Sequence, residues 1–389
     1  MIKQIFHLIW NTKRKNTLLF VEITISFLVL FGVYTFLWTG YSIYSVPSGF
    51  ESDNTYAVSL PFTMGVDSAV KVETKRQILN ELSSLSEVAY TSYSNFALPY
   101  YMGGWSSDTY IDGKAANAFF LVADRDFEKT HQLEITKGRW FDVSDDHRVM
   151  PPIVLNQLYV DSYLDNRDPM GMIINVDGED REVIGIISHY KYRSDFLSES
   201  PIVVMYEPAL TARSSHLNVL VKPGTPASFE LKLSNILDNT GYLTGFQIQK
   251  TSAKRPPANR FFIIPMYIFM FLCIFLILNV AMGLFGIVWY NINNRTAEIG
   301  LRRAIGATKP MIYFQLVGEQ MVIAMASIVV GLIIAIQFPI LNVFLLDPSL
   351  YIKGIFSAII TVLTVILVCS ILPGRKASKI HPAIALHEE

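Results

Sequence analysis

Long, predominantly apolar runs recur four times in this 389-residue chain, at residues 18–38, 261–290, 312–340 and 354–372. Each is long enough to cross a hydrocarbon core about 30 Å thick as a helix. The second is the longest. At 1.5 Å per residue it would reach about 45 Å, so it is expected either to tilt in the bilayer or to project from it as a stalk. In the third run Ser327, Gly331 and Ala335 recur every four residues and allow close helix packing. A shorter pattern occupies residues 2–10, where Ile2, Ile5, Phe6, Ile9 and Trp10 fall on one helical face. That pattern suits a helix lying in the headgroup region. The first long run exceeds a usual signal core and no convincing small-x-small cleavage site follows it, so it reads as an uncleaved anchor.

Between the first and second runs the pattern changes to short alternating segments, as in a soluble α+β domain over about residues 41–257. Its ends look like two matched βαβ units, at about 50–105 and 211–255. The first pairs strands near 54–61 and 88–96 with a helix near 68–85. The second pairs strands near 217–221 and 245–249 with a helix near 226–237. Two such units can combine into a ferredoxin-like sheet. The intervening 106–210 reads as a β-rich insert, with hairpin signals at Asp112-Gly113 and Asp177-Gly178.

Residues 293–310, NNRTAEIGLRRAIGATKP, form a short charged element between the second and third runs. Ala297, Leu301, Ala304 and Ile305 recur at helical spacing and make one apolar stripe. Arg295, Glu298, Arg302 and Lys309 fall on the other side. Glu298 and Arg302 are four apart with the acid first, the favourable order for a helical ion pair. Gly306 is expected to end the helix in a left-handed conformation, and Pro310 to lie in the first turn of the next one. Spacing alone leaves two readings open: a surface helix offered to a soluble partner, or a charged connector that sets topology.

Composition narrows the class. Only 17% of residues are charged, against about 25% in soluble domains, and the mean hydropathy is +0.35. The chain is therefore expected to be an α-helical membrane protein with four transmembrane helices plus an α+β domain outside the bilayer. Acids outnumber bases over residues 41–257, which argues against a nucleic-acid partner. The N-terminal stretch, the 291–310 segment and the tail hold eleven Lys and Arg against three acids. The positive-inside rule then places both termini in the cytoplasm and the large domain outside. Glu22 and Glu319 lie inside apolar runs, where a carboxylate is a functional candidate by default. Glu22 either reaches the interface or pairs within a bundle. Cys273 and Cys369 both sit in apolar runs and read as small packing residues. There is no phosphate-binding loop, no H-E-x-x-H and no G-x-S-x-G. The four histidines of the outer domain have no close metal-ligand spacing. No catalytic constellation and no bound metal are expected.

The segment RTAEIGLRRAIGA, Arg295 to Ala307, resembles the signature after the second membrane span of the FtsX/MacB family of ABC-transporter permeases. Other landmarks resemble its MacB-type periplasmic core domain in the same order: Gly138-Arg139-Trp140-Phe141, Pro152-Ile153-Val154-Leu155-Asn156, Asp168-Pro169-Met170-Gly171 and Val183-Ile184-Gly185-Ile186. Glu319 matches a Glu common at that place in the family, where an architectural role is the simpler reading. The tail PGRKASKIHPAIALHEE is similar to the family's closing pattern.

The resemblance implies this order: an interfacial helix (1–17), a first span (18–40), the periplasmic domain (41–257), a stalk with the second span (258–290) and a coupling helix (291–311). A third span (312–340), a short outer loop (341–353), a fourth span (354–372) and a cytoplasmic tail (373–389) follow. It implies a permease subunit of the inner membrane, not itself an enzyme. ATP and Mg²⁺ are expected on a separate ATP-binding subunit, and no cofactor on this chain. Arg295, Glu298, Leu301, Arg302, Arg303, Ile305 and Gly306 would form the contact with that subunit. A second permease protomer and a periplasmic adaptor or outer-membrane channel are further implied partners. Efflux or export driven by movement of the periplasmic domain is the leading function. An FtsX-like relay to an envelope enzyme, or lipoprotein release like that of the LolC and LolE permeases, is the alternative.

Overall fold

The computed structural model describes residues 13–165 and 167–378. The helix expected at 2–10 and the end of the tail, 379–389, lie outside the described residues. The chain divides into two compact units, one of residues 43–262 and the other of residues 1–42 with 263–389.

The second of these units is a helical bundle. Its members are α1 (Lys13–Tyr44), the later part of α6 (Thr251–Asn294), α8 (Lys309–Ala335) and α10 (Pro348–Ser378). Between them lie the short α7 (Thr296–Ala304) and α9 (Gln337–Leu341). All four long helices are long and apolar enough to cross a membrane. Their shared core joins Leu19, Ile23 and Phe27 of α1 to Leu284 of α6, Ala324 and Ile328 of α8 and Ile366 of α10. The four-residue spacing of Ser327, Gly331 and Ala335 places all three on the buried face of α8. A methyl group at Gly331 would lie 2.4 Å from the Phe27 ring, so the glycine is what lets α1 come this close. Gly354 of α10 serves Thr35 in the same way. Residues 13–17, assigned by sequence to the interfacial helix, instead open α1. Likewise α6 begins at Thr251, ahead of the apolar run, and continues through Pro256 and Pro257, whose missing N–H groups leave two first-turn carbonyls without a helical partner.

The other unit is built on one eleven-stranded sheet. Four strands, β11 (Gln247–Lys250), β1 (Thr55–Ser59), β10 (His216–Val221) and β2 (Val88–Asn95), lie side by side in that order, all antiparallel. Alternation along these strands sends Tyr56, Val58, Tyr93, Leu217 and Val219 to one face. There they meet Ile78 and Leu82 of α2 (Ser68–Ser83) and Phe229, Leu233 and Leu237 of α5 (Phe229–Asp238).

The insert does not form a separate sheet. β4 (Lys114–Ala123) pairs with β2 through its last residues, then with β3 (Trp105–Ile111) on one side and β9 (Ile202–Tyr206) on the other. The path from β3 through β7 (Ile173–Val176), β8 (Glu179–Ile187) and β6 (Pro152–Asn156) reaches β9 and closes a six-stranded ring. Phe120, Ile153, Leu155, Ile174, Val183 and Val203 fill its core together with Tyr159 of α4 (Gln157–Tyr163). The hairpins turn at Asp112-Gly113 and Asp177-Gly178, all four residues at positive φ. The sequence landmarks meet in space. Gly138, at the end of β5 (Ile135–Gly138), has φ +73°, and a Cβ there would fall 2.2 Å from the Ile184 carbonyl oxygen. Asn156 is fully buried; its carbonyl oxygen accepts from the Tyr159 and Ile202 amides, and its amide donates to Glu199 and the Ser200 carbonyl.

Burial shifts two groups in this unit in opposite directions. His131, in α3 (Phe127–His131), is fully buried, and desolvation pulls its pKa down to about 4. Desolvation of Asp124 pushes its pKa up to about 7. From pH 6.5 down to 4 the unfolded chain takes up the His131 proton first, so that group costs stability as pH falls. Over the same window native Asp124 binds the extra proton and adds stability. Asp124→Asn should therefore lose stability more steeply than the parent as pH falls from 6.5 to 4, by up to about 1.4 kcal/mol per pH unit. Thermal unfolding at three pH values in this window measures it, and parallel slopes would refute it.

Candidate coupling site

The linker between α6 and α8 is anchored by apolar burial on one side only. Ile299 and Gly300 of α7 are buried, and Ile299 packs with Val288 and Ile292 of α6 and Ile312 and Leu316 of α8. The stripe read from the sequence is the opposite, uncovered one. Ala297 and Ala304 are exposed, Leu301 is 53% exposed and Ile305 77%. Helical periodicity identifies a stripe but not which side the rest of the molecule covers.

Polar side chains hold the helix in place. Arg295, at the N-cap position of α7, reaches Glu319 of α8 at 3.1 Å. Glu319 is only 8% exposed. Gln315 donates to the second Glu319 oxygen at 3.3 Å and accepts from Arg302 at 2.8 Å. The other arm of Arg302 donates to Glu298 at 2.6 Å. One continuous chain, Arg295–Glu319–Gln315–Arg302–Glu298, thus ties both ends of α7 to α8. A carboxyl group with so little access to water needs such donors. Arg295 therefore faces inward rather than sharing an exposed polar side with Glu298. Arg303 is half-buried, and Lys309 is exposed at the start of α8.

Gly306 has φ +105°, a conformation that disfavours any side chain. Its amide donates to the Arg303 carbonyl, and the next amide, of Ala307, donates to Arg302, closing the helix end. Pro310 lies in the first turn of α8. Glu22 sits elsewhere in the bundle. Its carboxylate lies against Gly283 of α6, where a methyl group would come within 2.9 Å of it. Of the two intramembrane acids, Glu319 belongs to the α7 anchor and Glu22 does not. Gln315 was missed from the sequence. Its i, i+4 relation to Glu319 was the available signal.

Two family models match the chain. The MacB-like periplasmic core domain matches residues 23–233, more than half of it, and the FtsX-like permease C-terminal region matches residues 267–382, which include α7. The chain belongs to the FtsX/MacB family of ABC-transporter permeases. A curated relative is the macrolide export ATP-binding/permease protein MacB of Neisseria meningitidis, 24% identical over 78% of this chain and 48% of the relative. Another is the uncharacterized ABC transporter permease YknZ of Bacillus subtilis, 23% identical over 68% of each chain. The crystal structure of the periplasmic region of MacB from Actinobacillus actinomycetemcomitans aligns with 55% of this chain and 95% of its own, at 16% identity and a TM-score of 0.39. The chain spans about half the length of the MacB relatives it matches. As an FtsX/MacB-family permease it is a membrane protein with an extracytoplasmic α/β domain. Among the described residues no group of His, Cys, Asp and Glu could hold a metal ion.

Proposed function

We propose that this chain is the transmembrane subunit of a MacB-type ABC transporter that transmits motion from ATP hydrolysis to its extracytoplasmic domain. In this reading a separate subunit binds ATP and Mg²⁺ and docks on α7 at the cytoplasmic face, where both termini also lie. Closure of that subunit displaces α7, α6 carries the displacement outward as a stalk, and the periplasmic domain drives efflux or export. Two copies of the permease, or this chain with a relative, provide two docking helices. The antiparallel order β11-β1-β10-β2 supports a ferredoxin-like base for the outer domain.

One observation carries the reading: α7 leaves Leu301 and Ile305 uncovered while a polar chain fixes its orientation against α8. A merely solvated connector has no need of an exposed apolar stripe held in a fixed direction. Apolar anchors flanked by Arg are what buried contacts between proteins use. The name of the Neisseria relative, macrolide export, supports an efflux role and gives macrolides as the first compounds to assay. Copurification with an ATP-binding-cassette subunit, before and after the stripe is removed, is the test.

A further inference from the structure

Residues 188–201 connect β8 to β9, and two of their side chains reach the two places where the chain enters and leaves the outer domain. Lys191 is 4% exposed. Its ammonium donates to the carbonyl of Ile43 at 2.6 Å, of Asp195 at 2.9 Å and of Val46 at 3.3 Å. Ile43 belongs to the last turn of α1, whose carbonyls have no partner within the helix, and a cation suits that negative end. The contact is reinforced around it. The Lys191 amide donates to the Ser48 carbonyl at 2.9 Å, and the ring of Tyr44 stacks on Phe196 at 5.2 Å. At Gly49, with φ +80°, a Cβ would fall 1.9 Å from the His189 carbonyl oxygen, so the two strands of chain cross at backbone distance.

Four residues on, Asp195 grips the other segment. It is 5% exposed, and one of its oxygens accepts from Arg255 at 2.7 Å and from Asn259 at 2.6 Å. Both partners lie on α6, one turn apart. The Asn259 carbonyl oxygen in turn accepts from the Asp195 amide at 3.0 Å and from the Ser194 hydroxyl at 2.8 Å. Tyr100 donates to the remaining Asp195 oxygen at 3.3 Å. Asn259 is thus held on both ends of its amide, which fixes the rotation of α6 as well as its distance. These are charge-assisted or fully buried bonds, the kind that keep their geometry under load.

We propose that residues 191–195 are a rigid joint that binds the end of α1 and the start of α6 to the outer domain, so that a displacement of α6 moves the domain through Asp195. The proposal rests on the transmission of motion argued above and goes beyond it by naming the place where the domain is gripped. Arg255, Asn259 and Asp195 act here as positioning residues, since none of them touches a reacting group.

The test uses the full chain with its ATP-binding subunit in lipid nanodiscs. Cys273 and Cys369 are replaced by Ala, and spin labels are carried on cysteines at Met64 and Leu345, which are 100% and 86% exposed. The distance between labels is measured with and without ATP. Arg255 is 46% exposed, so Arg255→Glu can be made without burying a new charge. It sets a carboxylate against Asp195. This variant should cut the ATP-dependent change in distance by about half or more, with ATP hydrolysis held to within about twofold. Asp195→Asn should act in the same direction, and Arg255→Lys should restore most of the change. A general loss of folding would lower hydrolysis together with the distance change, which separates it from a broken joint. A full distance change in both Arg255→Glu and Asp195→Asn would overturn the joint while leaving the parent reading standing. No ATP-dependent change in the unsubstituted chain would overturn both.

Discussion

Leu301→Glu combined with Ile305→Glu should release the ATP-binding subunit while leaving the permease folded and inserted. Leu301 is 53% and Ile305 77% exposed, and neither contributes to the cluster around Ile299. Substitution at such positions changes folding stability by about 0.5 kcal/mol or less. In an interface the same two side chains would be central apolar anchors, each worth about 1–2 kcal/mol. Placing a charge at both should weaken copurification by about tenfold or more. Met64→Glu, at a fully exposed position of the outer domain, is the matched control and should leave copurification unchanged. Equal recovery of the ATP-binding subunit with the double variant and the control would remove the stripe from the docking surface.

Glu319→Gln should loosen α7 without unfolding the bundle. The carboxylate is the common end point of Arg295 at 3.1 Å and Gln315 at 3.3 Å. The side chains of Arg295 and Glu319 are 21% and 10% exposed. Removing one partner of a largely buried pair leaves the other charge without compensation, at about 3 kcal/mol, the low end of the range because Arg295 keeps some access to water. The cost should appear as faster hydrogen exchange at the α7 amides and weaker copurification. A double-mutant cycle separates pairing from general damage. Arg295→Met should partly rescue Glu319→Gln, because no orphaned charge then remains. Strict additivity of the two substitutions would mean that the pair does not anchor the helix.

Much of the frame was legible because its signals are local. Four apolar runs of sufficient length suffice for four helices, and the Ser327, Gly331, Ala335 spacing marks the buried face of α8. Gly306 and Pro310 bracket a helix end and a helix start whatever surrounds them. Asp112-Gly113 and Asp177-Gly178 fix two hairpins through backbone conformation alone. What was not legible depends on contacts between distant residues. The parallel pairing of Phe119–Ala123 with Ile202–Tyr206 closes the ring of the insert. Both are short apolar strands that could pair with many others, so nothing in either sequence names its partner. Asp195 and Arg255 read as ordinary solvated charges until folding brings them to 2.7 Å. The same limit applies to α7. Its stripe was visible, but its direction is set by Ile299 and by Glu319, a residue 24 positions from Arg295.

The central claim is that α7 meets an ATP-hydrolysing subunit. It is tested most directly by photocrosslinking in cells from a reactive residue placed at Ile305. The account predicts one major adduct, containing the ATP-binding-cassette subunit, and none from the same residue placed at Met64. An adduct to an extracytoplasmic protein from Ile305, or labelling of Ile305→Cys by a membrane-impermeant reagent added outside intact cells, would contradict it.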